Sequence, residues 1–421
     1  MMENIFSIYK DNSQDWDIRP LGYFCSEIRN PNRLLLESNR LSLSYGRVKP
    51  KDIESTEGLL PESFDGYNII EKGDVVLRLT DLQNDKKSLR VGLSHEKGII
   101  TSAYTTVRLH QGDPRWLYYT LHAYDLQKVF YSLGSGLRQS MGFEDLKRLP
   151  IALPSSQVQI EICDYLDIEL SKLNNLIEAK KRQVDQVGYF FDAIVREEIL
   201  GSGVGELKTP RWATHLGSGR YLVPLGKLVR PRGEKNEPIV FDEVLSLTAA
   251  RGVIRYEDKG DIGNKASEDI SRYSIVRKND LVINSMNIVI GSVGLSRYDG
   301  VLSPVYFVLM PIDNSRVNME YLSLHFRIRE FQRQLIRLGY GILDHRMRIP
   351  WINLKSQEIV LPSIEEQERI VLKLRKFDED RLKALSSIEA SIKKIEQYKI
   401  SLINSAMVGS LPQVGNRRYA S

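Results

Sequence analysis

Leu153-Pro-Ser-Ser-Gln-Val-Gln-Ile160 and Leu361-Pro-Ser-Ile-Glu-Glu-Gln-Glu368 open the two stretches that decide the architecture. From Pro154 to Gly201 every position has its counterpart 208 residues later, between Pro362 and Gly409, with no gap. Ser156 with Gln159, and Ser363 with Glu366, read as capping boxes just after a proline, and Gly201 and Gly409 stand where a helix C-terminal glycine belongs. One long helix per copy follows. Leu166, Leu170, Leu173, Ile177, Val184, Val187, Phe191 and Ile194 form a 3-4 seam in the first, and Leu374, Leu385, Ile388, Ile392, Ile395 and Leu402 in the second. About 45 residues reach roughly 70 Å, far more than one domain needs for its own core. The two helices most economically pair with each other; the alternative is that each packs on its own domain.

Upstream, the duplication continues in unbroken order, with offsets drifting between 202 and 206. Pro20-Leu-Gly22 recurs as Pro224-Leu-Gly226. Tyr67 to Asp74 recurs as Tyr273 to Asp280, Gly92-Leu-Ser and Gly98 as Gly294-Leu-Ser and Gly300, and Leu121-His122 as Leu324-His325. Leu133-Gly-Ser-Gly136 pairs with Leu338-Gly-Tyr-Gly341. Each module reads as mixed α/β, with strands near Asp74–Leu79, Thr105–Leu109, Asp280–Asn284 and Val305–Met310, then one amphipathic helix, Arg115–Leu133 or Met319–Leu338, then a glycine loop. The expected class is α+β. Module one spans 1–152, the first long helical region 153–202, module two 203–360, the second helical region 361–411, and a tail 412–421. With the long helices antiparallel, a pseudo-twofold relates the halves.

Composition agrees with a folded chain of two or three domains: 421 residues, 42% hydrophobic, 27% charged. Cys25 and Cys163 make no disulfide framework and no zinc spacing, which points to a reducing, cytoplasmic compartment. The N-terminus lacks the pattern of a secretory signal. The longest uncharged run, Leu281–Ser296, is too short and too polar to span a bilayer, so membrane insertion is not expected. A net charge of +5 decides nothing about nucleic acid.

Two divergent modules at a fixed separation suit a target that is itself bipartite along a rod, and double-stranded DNA turns once in about 34–36 Å. Leu153 to Asp167, continued by Leu173 to Val184, resembles the first conserved region of type I restriction-modification specificity subunits. Leu361 to Ile370 resembles the second copy, with the Pro-x-x-x-Glu-Gln pattern at Pro362, Glu366 and Gln367; the first copy carries Val158-Gln159 instead. Through the duplicated plan the resemblance covers nearly the whole chain. It implies a non-catalytic subunit with two target-recognition domains, each reading one half of a gapped DNA site while an antiparallel coiled coil sets the spacing. It further implies two methyltransferase (modification) subunits that bring S-adenosylmethionine, and restriction motor-nuclease subunits that use ATP and Mg. No cofactor is expected in this chain, which has neither a phosphate loop nor a His-Glu-x-x-His motif. Gln159, Glu366 and Gln367 carry over as partner-binding residues, although helix capping accounts for part of their presence.

Base reading needs side chains that reach base edges, typically Arg to guanine and Asn or Gln to adenine. The glycine loop before each long helix supplies Arg138, Gln139 and Ser140 in one module and Arg346 and Arg348 in the other. A solvated loop or a phosphate contact is the alternative. Turns after the Asp74 and Asp280 strands supply Arg78, Asn84, Lys86 and Lys87, and Asn284 and Asn287; ordinary turn chemistry competes there. Arg329, Arg333 and Arg337, four apart, make one basic helix face that grips phosphates or is simply solvated. The paired His122 and His325 read as structural, and Glu178-Ala-Lys180 lacks the partner acids of a metal site. Asn30-Pro31 reads as a turn. A coiled-coil protein-interaction scaffold and a free-standing DNA-modifying enzyme are the competing functions.

Overall fold

The computed structural model describes residues 16–51, 63–82, 85, 88–132, 140–202, 209–248, 251–260, 266–267, 269–288, 291–339 and 348–410. They form two compact units, Met1–Lys180 with Ala390–Ser421, and Lys181–Glu389, so each unit contains one module and a part of both long helices.

In the first unit, Asp17–Pro20 pairs antiparallel with Pro150–Leu153 and joins the start of the module to its end. A four-stranded antiparallel sheet runs in the order Cys25–Glu27, Thr105–Leu109, Val75–Leu77, Val91–Leu93. Beside it lie the hairpin Leu41–Ser44 with Arg47–Pro50 and the pair Asn68–Ile70 with Gly98–Ile100. Helix α1, Pro114–Leu126, starts on the Asp113 cap with proline in its first turn, the expected start chemistry. It is buried on two sides. Leu117, Leu121 and Tyr124 pack on Val75, Leu77, Val91 and Val107 of the sheet, whereas Trp116, Tyr119 and Ala123 pack on the long helices. The short helix α2, Phe143–Leu146, leads back to the edge strand and then to α3, Ser156–Leu200.

The second unit repeats this plan strand for strand. Tyr221–Pro224 pairs with Glu358–Leu361, and the sheet order is Val229–Pro231, Tyr306–Pro311, Leu281–Asn284, Val293–Leu295. Its helices are α4, Met319–His325, α5, Arg329–Leu335, the short α6, Trp351–Leu354, and the long α7, Ile364–Met407. The repeated glycines have a steric cause. A Cβ on Gly98 would lie 2.4 Å from the Asn39 carbonyl oxygen, and one on Gly300 would lie 2.6 Å from that of Glu243.

The long helices, of 45 and 44 residues, end on Gly201 and Gly409, both in the left-handed region with φ of 77° and 73°. Within each unit their segments run antiparallel. In the first, Lys399 donates to Asn174 at 2.6 Å, while Leu402, Ile403 and Met407 cluster with Ile162, Cys163 and Leu166. In the second, Lys373 pairs with Glu198 at 2.6 Å and the Arg381 guanidinium lies 5.0 Å from the Phe191 ring. Among the described residues no helix is long and apolar enough to cross a membrane.

Two helix expectations need correction. Arg115–Leu133 stops at Leu126: Lys128 takes φ of 62°, and a 3-10 turn covers Val129–Ser132. Met319–Leu338 is broken between α4 and α5. Ile328, 1% exposed, turns inward in extended conformation, and the Phe326 carbonyl freed by the break accepts a hydrogen bond from Gln332 at 2.7 Å. Burying one isoleucine and satisfying the exposed carbonyl outweighs helix continuity there. The tail 412–421 lies outside the described residues.

Candidate nucleic-acid interface

Each module has one strand whose two ends are fixed by its neighbours. At the start of Val75–Leu77, the buried Asp74 carboxylate accepts from the Glu71 amide at 2.8 Å and from both sides of the Arg108 guanidinium at 2.6 and 2.8 Å. Asp280 holds the equivalent strand with the Arg277 amide at 2.7 Å and the Arg232 guanidinium at 2.6 and 2.7 Å. Burial and a bidentate ion pair thereby lock the strand at this end.

At its other end, the strand meets the segment leaving the glycine loop. The Met141 amide donates to the Leu79 carbonyl at 2.9 Å, and the Ile349 amide donates to the Ser285 carbonyl at 3.1 Å. Two candidate regions widely separated in sequence therefore form a single joint in each module. Arg78 and Ser140 flank it in the first, Asn284 and Arg348 in the second. Arg78 is half-buried and Arg348 exposed, and neither side chain has a partner among the described residues. Among the described residues, each joint thus presents one guanidinium without a partner, from the strand side in one module and from the loop side in the other.

Other candidates fall elsewhere. Asn284 is corrected: it is buried, and its side-chain oxygen accepts from the Met286 amide at 3.0 Å, so it closes its own turn. Asn287 lies in the same turn, its carbonyl accepting from Ser292. The basic stripe is also corrected. Arg329 pairs with Asp192 at 3.3 Å and lies 4.2 Å over the Tyr189 ring, against the long helix, while Arg337 lies on the 3-10 turn Ile336–Leu338 that follows α5. Arg333 and Arg337 stay exposed. Asn84, Lys86, Lys87, Arg138, Gln139 and Arg346 lie outside the described residues.

Sequence reading missed Arg90. It is fully buried, and its five N–H donors meet five acceptors: the carbonyls of Arg78, Thr80, Asp81 and Asp85, and the Tyr131 hydroxyl. A lone arginine beside a strand carries no local signal of that role.

Compared with known proteins, residues 247–397 match the family model of the type I restriction modification DNA specificity domain. A solved chain, described as the structural basis of complex assembly and conformational transition of the type I R-M system, superposes with a TM-score of 0.66 at 15% identity, covering 95% of this chain and 99% of that one. The HsdS subunit from Thermoanaerobacter tengcongensis is 16% identical, with a TM-score of 0.47 and coverage of 95% and 98%. No curated protein matches.

The recurring glutamines serve the frame of the modules. Gln159, 1% exposed, accepts from the Asp113 amide at 3.0 Å and donates to the Pro154 carbonyl at 2.8 Å. Gln367, fully buried, accepts from the Asn318 amide at 2.8 Å and donates to the Arg316 and Pro362 carbonyls at 3.1 and 3.0 Å. Both clamp the cap residue of the module helix to the start of a long helix. This corrects their assignment as partner contacts, because a buried, satisfied amide reaches no partner, and it removes the capping box at Ser156. Glu366 is bound in ion pairs to Arg369 at 2.6 Å and Arg220 at 3.3 Å. The paired histidines are buried as well. Desolvation pushes His122 down to about 4, with help from Lys399, and His325 down to about 3. His325 Nε2 accepts from the Val360 amide at 3.1 Å.

Proposed function

We propose that the two modules are two readers of one bipartite, gapped DNA site, each reading one half. The observation that carries this is the joint built twice on one frame with different side chains at its rim: Arg78 beside Ser140, and Asn284 turned inward beside Arg348. An invariant frame with variable rim chemistry is what two readers of different half-sites require, since guanidinium position decides which base edge or phosphate is met.

In this reading the antiparallel long helices set the distance between half-sites and dock two methyltransferase subunits. Restriction motor-nuclease subunits join that assembly. S-adenosylmethionine belongs to the methyltransferase, ATP and Mg to the motor-nuclease, and this chain supplies recognition without catalysis. Co-expression with the methyltransferase subunit, followed by single-molecule mapping of methylated adenines, tests it. A gapped two-part motif that disappears when this chain is deleted is expected. An active methyltransferase that yields no such motif overturns the reading.

A further inference from the structure

We propose that Arg90 is the positioning residue that sets the specificity of the first module, a step that rests on the reading of the joint as DNA-facing. Its guanidinium donates from Nη1 to the Arg78 and Thr80 carbonyls at 3.1 and 2.8 Å, from Nη2 to the Asp81 carbonyl at 3.2 Å and to that of Asp85, and from Nε to the Tyr131 hydroxyl at 3.0 Å. All five donors of the rigid planar fork are used, four of them on the backbone leaving the strand. Asp81 sits there at φ of 57°, a left-handed conformation that a non-glycine residue holds only where its surroundings impose it.

Arg90 is itself held. Its amide donates to the Asp125 carboxylate at 2.6 Å at the end of α1, and its carbonyl accepts from the Arg78 amide at 2.9 Å. Tyr131, which accepts from Arg90 and donates to the Asp85 carbonyl at 3.2 Å, lies on the 3-10 turn Val129–Ser132 after α1. One buried side chain therefore determines where the backbone carrying Arg78 runs, and ties it to α1. The second module has no equivalent. Ser292 stands at the position of Arg90, and the turn there closes through Asn284 and the Asn287 carbonyl. Shortening or flattening Arg90 thus alters reading by one module only.

The test uses the whole chain co-expressed with its methyltransferase subunit, carrying R90M, R90K or R348A, with methylated adenines mapped by single-molecule sequencing and folding followed by thermal melting. R90M removes every donor; R90K keeps the charge with three donors on a flexible stem. Expected is a loss of discrimination on the order of 10-fold or more at one or more positions of a single half-site, smaller for R90K, with the other half intact. R348A is expected to relax the opposite half. An R90M motif unchanged in both halves, or a uniform loss of methylation at sites of every sequence, overturns the assignment whatever happens to the melting temperature. Where R90M does not accumulate as folded protein, R90K decides by the same criterion. A wild-type complex that yields no two-part motif overturns the parent reading, and the Arg90 assignment with it.

Discussion

The two modules share one backbone plan and differ in where they place their arginines. In the first, the buried Asp74 is neutralised by Arg108 from the Thr105–Leu109 strand; in the second, Asp280 is neutralised by Arg232, just beyond the Val229–Pro231 strand. The first is the inner strand next to that of Asp74 and the second is the edge strand one place further out in the equivalent order, so the same charge problem has two answers. A buried carboxylate needs a partner, and any guanidinium that reaches it serves. The arginine of each joint that has no partner among the described residues moves similarly, from Arg78 on the strand side to Arg348 on the loop side. Frame positions keep their chemistry across the duplication; rim positions exchange it.

The largest way to break this comparison is at the buried acids. D280A is expected to cost up to about 3–5 kcal/mol, because it leaves Nε and Nη2 of a guanidinium only 12% exposed without their carboxylate, with the Glu234 pair at Nη1 remaining. D74A should cost clearly less, because Arg108 is 45% exposed and can turn to water. Urea unfolding of both variants checks the order, and equal losses would refute the claim that the two answers differ energetically. Next come the glutamine clamps. Q159A and Q367A each leave a buried amide and carbonyl unpaired and should each cost about 1–3 kcal/mol, similar in both modules, without altering any recognition motif. A marked inequality between them would place one clamp outside the common frame.

Acid sharpens the comparison further. Both histidines are held neutral in the folded chain, so the unfolded chain binds protons first as pH drops below about 6.5. Stability from this source is complete above about 6.5 and is lost as pH falls toward 4. His122 faces Tyr118, stacked at 5.4 Å, and Lys399, whereas His325 faces the edges of Trp212 and Phe331. The loss of melting temperature across that range should be smaller for both H122F and H325F than for the unchanged chain. The smallest effect expected is at Arg329. Its pair with Asp192 is half-exposed, so R329A should cost under about 1 kcal/mol and leave salt-dependent DNA binding unchanged, while R333A weakens that binding if the exposed arginines meet phosphate. Equal salt slopes for the two variants would remove Arg333 from the interface.

Much of the fold was legible because duplication and periodicity are local properties. The matched spacing from Pro154 to Gly201 and from Pro362 to Gly409 reports two helices directly, and strand positions such as Thr105–Leu109 were read to the residue. The break after His325 was not, since it depends on Ile328 finding space in the core and on Gln332 arriving to cap Phe326. The candidate site was legible only in outline. Arg78, Ser140 and Arg348 were named as separate loop residues, and Asn284 as a reader when it closes its own turn. The Arg90 network was invisible, because four of its five acceptors are carbonyl groups, which every residue has.

By itself the sequence determined the repeat, the two long seamed helices and the recurring glycines, because periodicity and spacing are written into the order of residues, whereas the antiparallel run of the helices came from the structure. Tertiary structure alone decided which polar groups are buried and which stand free. Gln159 and Gln367 became internal clamps, Arg329 turned onto the long helix, and Arg78 and Arg348 have no partner among the described residues, because the partner of a polar side chain is set by what folding brings within about 3 Å, not by its neighbours along the chain.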